Sequence, residues 1–213
     1  MACVKRIDAG WAGIYNAVRR FAKEAPMDLI RELEQFVPFN AEEEADRRMI
    51  IGCLRREPDI FTRENGLVHM TASAWIINRD RTKVLMAYHN LYQSWAWLGG
   101  HADGDADLLQ VALKEAREES GLVHVKPVSE SIFSVEALPV FGHWKRGKYV
   151  PCHSHLNVTY LLEADEADAI QEKPDENSAV GWFGLDEALE KVSEDWMREH
   201  IYSKLNAKLR ALR

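Results

Sequence analysis

Hydrophobic positions recur at helical spacing in the first third of the chain. Up to about residue 64, apolar residues return every three or four positions in three segments, which are separated near Pro26 and Pro38. This pattern predicts a small helical region over residues 1–66, because proline interrupts helices while the spacing favours amphipathic ones. The predicted helices are WAGIYNAVRRFAKEA, MDLIRELEQFV and AEEEADRRMIIGCLRRE.

From residue 67 onwards, the apolar positions alternate or run continuously, which is typical of strands. The predicted strands are HMTASAWIIN, TKVLMAYHN, WAWLGG, ESIFSVEALPVFG, HSHLNVTYLLEA and AVGWFGL. Helices are predicted for LLQVALKEAREESGL between the third and fourth strands, and for DEALEKV and SEDWMREHIYSKLNAKLRAL at the end. Strands outnumber helices between residues 68 and 183, so we expect an α+β domain with a mixed sheet over residues 67–213.

Composition and charge narrow the range of partners. The chain has 213 residues, 34 acidic against 27 basic side chains, and a net charge of -7. We therefore expect no nucleic-acid or membrane partner, because both require a basic surface. Three scattered cysteines and the absence of a long apolar run or secretory signal predict a cytoplasmic protein. The amphipathic helical region makes a homodimer the expected oligomer.

The helix LLQVALKEAREESGL carries three carboxylates beside its apolar face. On a helical wheel, Glu115, Glu118 and Glu119 fall on the flank of the apolar arc, where we expect partial shielding from water. Like charges at these spacings repel one another, so a cation is needed to neutralise them. The preceding loop, GGHADGD, can offer a backbone carbonyl. Hard oxygen ligands in this arrangement favour Mg²⁺ or Mn²⁺.

The loop and helix together resemble the signature of the Nudix hydrolases. That signature runs glycine, five residues, glutamate, seven residues, arginine, glutamate, an aliphatic residue, any residue, two glutamates, any residue, glycine and an aliphatic residue. The matching anchors are Gly100, Glu115, Ala116, Glu118, Glu119, Gly121 and Leu122. Ala106 stands where the family has its first glutamate, and Lys114 where it has arginine. Lys114 keeps the positive charge but loses the planar fork of a guanidinium.

The resemblance implies a Nudix-like α/β/α sandwich over roughly residues 67 to 195, which does not include the N-terminal helices. It also implies hydrolysis of a nucleoside diphosphate linked to another moiety, or of a nucleoside triphosphate, by attack of water on phosphorus. The implied metal ligands are the Gly100 carbonyl, Glu115, Glu118 and Glu119. Glu176 matches a further family carboxylate that serves as metal ligand or general base. The predicted catalytic residues are therefore Glu118, Glu119 and Glu176.

Three histidines and one lysine are the predicted substrate-binding residues. His153 and His155 project from the same side of a predicted strand, because side chains alternate along it. Together with His101 they favour phosphate binding, proton transfer or an additional transition-metal site, and the sequence leaves these three roles open. Lys114 completes the predicted set as a cation beside the glutamates.

Two alternative functions use the same motif. The chain could be a nucleotide-binding sensor or regulator with weak catalysis, for which the helical region would be the output element. It could also isomerise allylic diphosphates. The three glutamates favour the hydrolase, because a protein that only binds a nucleotide has no need of a repulsive carboxylate cluster.

Overall fold

The structure, a computed structural model, describes residues 27–145 and 147–212. The helices are α1, which covers residues 27–35, then α2 Ala41–Arg56, α3 Leu108–Ser120, α4 Leu185–Lys191 and α5 Ser203–Ala211, with a π-helical segment over Met197–Tyr202 before α5. The strands are β1 Val68–Ile77, β2 Lys83–His89, β3 Ser94–Ala96, β4 Leu98–His101, β5 Val125–Pro127, β6 Ser134–Val140, β7 His143–Lys145, β8 Lys148–Val150, β9 His153–Ala164 and β10 Asn177–Gly184. The predicted helix WAGIYNAVRRFAKEA lies outside the described residues.

A mixed sheet forms the centre of the molecule. Its strand order is β10-β2-β1-β9-β5, with β3 paired to β2, β4 to β1 and β6 to β9. β1 and β9 run parallel over ten paired positions, from Val68 opposite Ser154 to Ile77 opposite Glu163. The other pairs in this sheet are antiparallel. The predicted α+β fold with a mixed sheet is therefore confirmed.

Three details differ from the sequence prediction. The expected single strand WAWLGG is divided into β3 and β4, because the chain changes its pairing partner from β2 to β1 around Trp97. The short strands β5, β7 and β8 were not predicted, since three residues are too few to show alternation. The last predicted helix is interrupted by the π-helical turn before α5.

Side chains from both faces of β1 enter two hydrophobic clusters. Met70 and Ile76 pack in one cluster with α3 and with residues of α1 and α2, such as Leu33. Trp75 and Ile77 pack in the other with residues of α4 and α5. The described part of the N-terminal helical region therefore shares a core with the sheet, while a domain boundary near residue 66 stays a prediction.

A buried polar network joins α2 to α5. Glu43 is fully buried and accepts hydrogen bonds from Lys208 Nζ at 2.7 and 2.9 Å and from Ser134 Oγ at 2.7 Å. Burial raises the pKa of Glu43, but the Lys208 hydrogen bond and the charges of Lys204 and Lys208 outweigh it and bring the pKa below its ordinary value. Burial also lowers the pKa of Lys208, which opposes ionisation of the pair. The two short hydrogen bonds identify an ion pair despite that opposition.

Two observations bear on the expected surroundings of the protein. Cys53 and Cys152 are free thiols, whereas Cys3 lies outside the described residues. Within residues 27–145 and 147–212, no helix is long and apolar enough to cross a membrane.

Candidate active site

The site begins where β4 lies against β1. Gly99 and Gly100 pair with Ser73 and Ala72 of β1. A Cβ at Gly99 would lie 2.6 Å from the Ala72 carbonyl oxygen, so only glycine permits this approach. Asp107 then caps α3 by accepting a hydrogen bond from Gln110 N at 3.1 Å, which fixes the start of the helix.

Close contacts hold α3 against this glycine pair. Gly100 faces Glu115 so closely that a Cβ at position 100 would lie 2.6 Å from Glu115 Cδ. The amide of Gly99 donates to Glu119 Oε2 at 3.1 Å. Two of the three predicted glutamates are thus positioned directly by the loop backbone.

A third carboxylate reaches the same place from the segment before β10. Three carboxylate oxygens, one each from Glu115, Glu119 and Glu176, lie within 4.8 Å of one another. Asn177, the first residue of β10, is buried, and its side-chain amide donates to the Glu119 carbonyl oxygen at 3.0 Å. This bond ties the start of β10 to the end of α3 and so brings Glu176 to the helix.

The electrostatics of this acid cluster, defined as Glu115, Glu119 and Glu176, are unfavourable without a cation. Burial raises the pKa of Glu115, and burial together with the neighbouring Glu115 and Glu176 raises the pKa of Glu119 to about 8. Both shifts arise because charged carboxylates are removed from water and placed beside one another. Three hard oxygen donors within this distance fit a divalent cation such as Mg²⁺ or Mn²⁺.

Glu118 lies apart from the acid cluster. Its side chain is 43% exposed, and its Oε2 is 3.5 Å from Lys173 Nζ. The sequence-based expectation of a shielded position is wrong for this residue, because α3 turns it towards the solvent beside the loop that carries Lys173. Lys114 is 64% exposed, with its Nζ 3.6 Å from Glu115 and 3.9 Å from Glu118. The predicted role of Glu118 as a metal ligand stays a prediction.

Lys173 is a second cation of this site, which was not predicted from the sequence. Lys173 Nζ lies 3.2 Å from Glu176 Oε1. The backbone amide of Lys173 donates a hydrogen bond to Asn177 Oδ1 at 3.0 Å. Burial lowers the pKa of Lys173, but hydrogen bonding to Glu176 and the surrounding carboxylates more than offset it, so the net pKa is raised. The only indication of this ion pair in the sequence was that Lys173 precedes Glu176 by three positions.

The predicted histidines do come together, and they are joined by one that the sequence did not reveal. His69, His101 and His155 each place a ring nitrogen within 4.8 Å of the other two. His153 Nε2 lies 3.2 Å from His155 Nε2. We call these four residues the histidine cluster. Burial is the main cause that lowers the pKa of His155, to about 2, with the neighbouring histidines contributing.

Comparisons with known proteins agree with this geometry. A family model described as NUDIX domain matches residues 67–204. A search of curated proteins finds no match.

Several solved structures are similar to the chain. A Caenorhabditis elegans Ap4A hydrolase in a binary complex is 20% identical, with a TM-score of 0.49, over 67% of this chain and 96% of that one. A NUDIX-family hydrolase from Clostridium perfringens is 20% identical, with a TM-score of 0.47, over 68% and 98%. An ADP-ribose pyrophosphatase from Streptococcus suis is 20% identical, with a TM-score of 0.46, over 68% and 91%. Because these TM-scores are below 0.5, the assignment to a family rests on the match of the NUDIX domain model.

Proposed function

This chain belongs to the NUDIX family and is a Nudix-type pyrophosphohydrolase, and on that premise we propose that it uses Mg²⁺ or Mn²⁺ to hydrolyse a nucleoside diphosphate linked to another moiety, or a nucleoside triphosphate. The observation that carries this proposal is the acid cluster, whose three carboxylates meet within 4.8 Å beside Gly100. Such a cluster has no evident structural purpose, because its charges repel one another in a partly dry site.

The residues that would hold the ion are the acid cluster and the Gly100 carbonyl oxygen, and Glu118 is the further ligand that the family signature implies. When bound, the ion supplies positive charge that offsets the diphosphate oxygens and makes water a better nucleophile. Glu115 and Glu119 contribute fixed oxygens, since Gly100 and the Gly99 amide limit their movement. Positioning of this kind is a main source of rate in phosphoryl transfer.

We assign the general base to Glu176. Its side chain is 39% exposed, so water has access to it, whereas Glu119 is buried. The ion pair with Lys173 orients the Glu176 carboxylate. A carboxylate oxygen of Glu176 would accept the proton of the attacking water, and no covalent intermediate is required.

The substrate would approach from the exposed side of α3. A shallow groove of about 260 Å³ lies there between Glu118, Gly121 and residues 171–174. Lys114, whose ammonium is largely exposed, would contact substrate phosphate as a point charge. His101, His153 and His155 stay predicted substrate-binding residues. A small-molecule substrate, a homodimer and a cytoplasmic location complete the proposal.

One assay tests the proposal against both alternatives. The full chain is incubated with Mg²⁺ and a panel of nucleoside diphosphate conjugates, nucleoside triphosphates and allylic diphosphates in ¹⁸O-labelled water. We expect new monophosphates that carry the label, and no product when EDTA is in excess. Nucleotide binding without turnover would support the sensor instead, and rearranged diphosphate without label would support the isomerase.

A further inference from the structure

The sheet register brings together histidines that are far apart in the sequence. His69 on β1 is directly opposite His155 on the parallel strand β9. His101 at the end of β4 pairs with Thr71, which is two residues from His69 and therefore on the same face of β1. The same alternation directs His101 away from the strand face on which Gly100 meets Glu115. The histidine cluster and the acid cluster therefore lie on opposite faces of β4.

Hydrogen bonds to backbone carbonyls fix which nitrogen carries the hydrogen in two of these rings. His69 Nδ1 is 3.1 Å from the Asn65 carbonyl oxygen, and His153 Nδ1 is 2.9 Å from that of Pro151. A carbonyl oxygen can only accept, so each Nδ1 carries the hydrogen and each Nε2 is unprotonated. Histidines that bind metals are oriented by this kind of outer hydrogen bond.

The free nitrogen of His69 is otherwise unexplained. His69 is only 5% exposed, and its Nε2 is buried with no hydrogen-bond partner among the described residues. A buried acceptor without a partner is costly and is rare in folded proteins. It is accounted for if it donates its lone pair to a ligand held by the neighbouring rings.

The spacing of the rings fits a tetrahedral ion. At a Zn–N distance of about 2.0–2.1 Å, two nitrogens of a tetrahedral site are about 3.3 Å apart. His153 Nε2 and His155 Nε2 are 3.2 Å apart. Neighbouring ring centroids in the cluster are 4.8 to 5.1 Å apart. Ring nitrogens of His69, His101 and His155 already lie within 4.8 Å of one another, so small rotations would direct these three rings towards one point, with His153 beside them as the fourth donor.

We propose that His69, His101, His153 and His155 form a binding site for a divalent transition-metal ion such as Zn²⁺. Imidazole nitrogen suits Zn²⁺ and similar ions, whereas Mg²⁺ prefers oxygen. For His155 to bind through Nε2, its hydrogen moves from Nε2 to Nδ1, and the ring stays neutral. The bound ion would cross-link strands β1, β4 and β9. This proposal does not depend on the proposed hydrolase function.

The charges next to the cluster are compatible with a cation. The positive charge of Arg63 acts on His69 and His101, but it is neutralised by Asp103, whose Oδ1 accepts a hydrogen bond from Arg63 Nε at 2.7 Å. The positive charge of Lys145 contributes to the lowered pKa of His155. Burial lowers the pKa of His69, so this ring is available in the neutral form that binds metals.

Titration with Zn²⁺ in millimolar Mg²⁺ tests the proposal, because Mg²⁺ occupies oxygen sites and leaves imidazoles free. We expect one Zn²⁺ per full-length chain by calorimetry, and a higher melting temperature when Zn²⁺ is present. His155→Gln should weaken the affinity at least about tenfold. His124→Gln, which alters an exposed histidine elsewhere, is the matched control and should bind as the parent does.

Two further variants keep the result interpretable. If circular dichroism shows that His155→Gln does not fold, His101→Gln, at a half-buried position, takes its place and should weaken the affinity equally. Glu119→Gln should leave Zn²⁺ binding in Mg²⁺ unchanged, which separates this site from the acid cluster. The proposal is overturned if no Zn²⁺ binds in the presence of Mg²⁺, or if the histidine variants bind as tightly as the control.

Discussion

The carboxylate of Glu115 lies against the Cα of Gly100, so that a Cβ at position 100 would be 2.6 Å from Glu115 Cδ. Real Cβ atoms do not approach other atoms so closely. Position 100 therefore requires glycine because any larger residue would displace the Glu115 side chain. Gly100 and Glu115 of the acid cluster therefore form one structural unit.

Changing Gly100→Ala should consequently displace Glu115 and lower kcat/KM about a hundredfold, since a shift of about 1 Å in a positioned group has effects of that size. Gly66→Ala is the matched control, because a Cβ there meets nothing within 4 Å. Steady-state kinetics in saturating Mg²⁺ measure both variants. Equal activity of the two would show that the contact between Gly100 and Glu115 has no functional importance.

Lys173 should affect metal affinity and turnover in opposite directions. Its Nζ is 3.2 Å from Glu176 and 3.5 Å from Glu118, where it competes with a bound cation. We expect Lys173→Gln to bind Mg²⁺ a few-fold more tightly, because a nearby positive charge is removed. We also expect kcat to fall about tenfold, because Glu176 loses its orientation as general base.

Lys126→Gln, which removes an exposed lysine paired with Glu163, serves as the control for that variant. Titration calorimetry with Mg²⁺ gives the affinity, and kcat is measured separately. Weaker Mg²⁺ binding in Lys173→Gln would mean that the lysine supports the metal site instead of competing with it.

The long elements were predictable because their periodicity is strong. HSHLNVTYLLEA coincides with β9, and AEEEADRRMIIGCLRRE contains α2 with one residue to spare. The division of WAWLGG was not predictable, because nothing around Trp97 signals a change of pairing partner. That change depends on which strands are neighbours in the sheet, which is a property of the tertiary structure.

The candidate site was predictable where its residues follow one another in the sequence. Glu115 and Glu119 come from a single helix, and the family signature identifies them together. His69 was missed because its connection to His155 exists only through the parallel pairing of β1 and β9. The exposure of Glu118 was misjudged because this position lies nearer to the exposed Lys114 than to the apolar arc of α3.

Acid should destabilise the protein partly through Glu43. Its pKa is lowered in the folded state, so its contribution to stability is complete above the ordinary value of about 4.5 and is lost as the pH falls through the folded pKa. Glu43→Gln should lower the free energy of unfolding at neutral pH by about 3–5 kcal/mol, because Lys208 is left buried without its partner. The variant should also lose less stability than the parent below about pH 4.5.

Urea unfolding at neutral and acidic pH measures both effects. If the free energy of unfolding falls by the same amount in the parent and in Glu43→Gln as the pH is lowered, Glu43 does not titrate as described.

Glu119→Gln is the most direct test of whether the acid cluster holds the catalytic ion. This change keeps the size of the buried side chain but removes one negative charge beside Glu115 and Glu176. Without metal at neutral pH, the melting temperature should stay equal to that of the parent, because the raised pKa of Glu119 already keeps most of this carboxyl neutral. With saturating Mg²⁺, turnover should fall about a thousandfold, which corresponds to about 4 kcal/mol of lost transition-state stabilisation.

Glu190→Gln, at an exposed position of α4, controls for the general effect of removing a carboxylate and should retain the parental rate. The decisive measurement is the initial rate of Glu119→Gln on the best diphosphate substrate, with its metal-free melting temperature taken in parallel. A rate about a thousandfold below that of Glu190→Gln with an undiminished melting temperature is the predicted result, and a rate above about a tenth of the parental value would contradict the account.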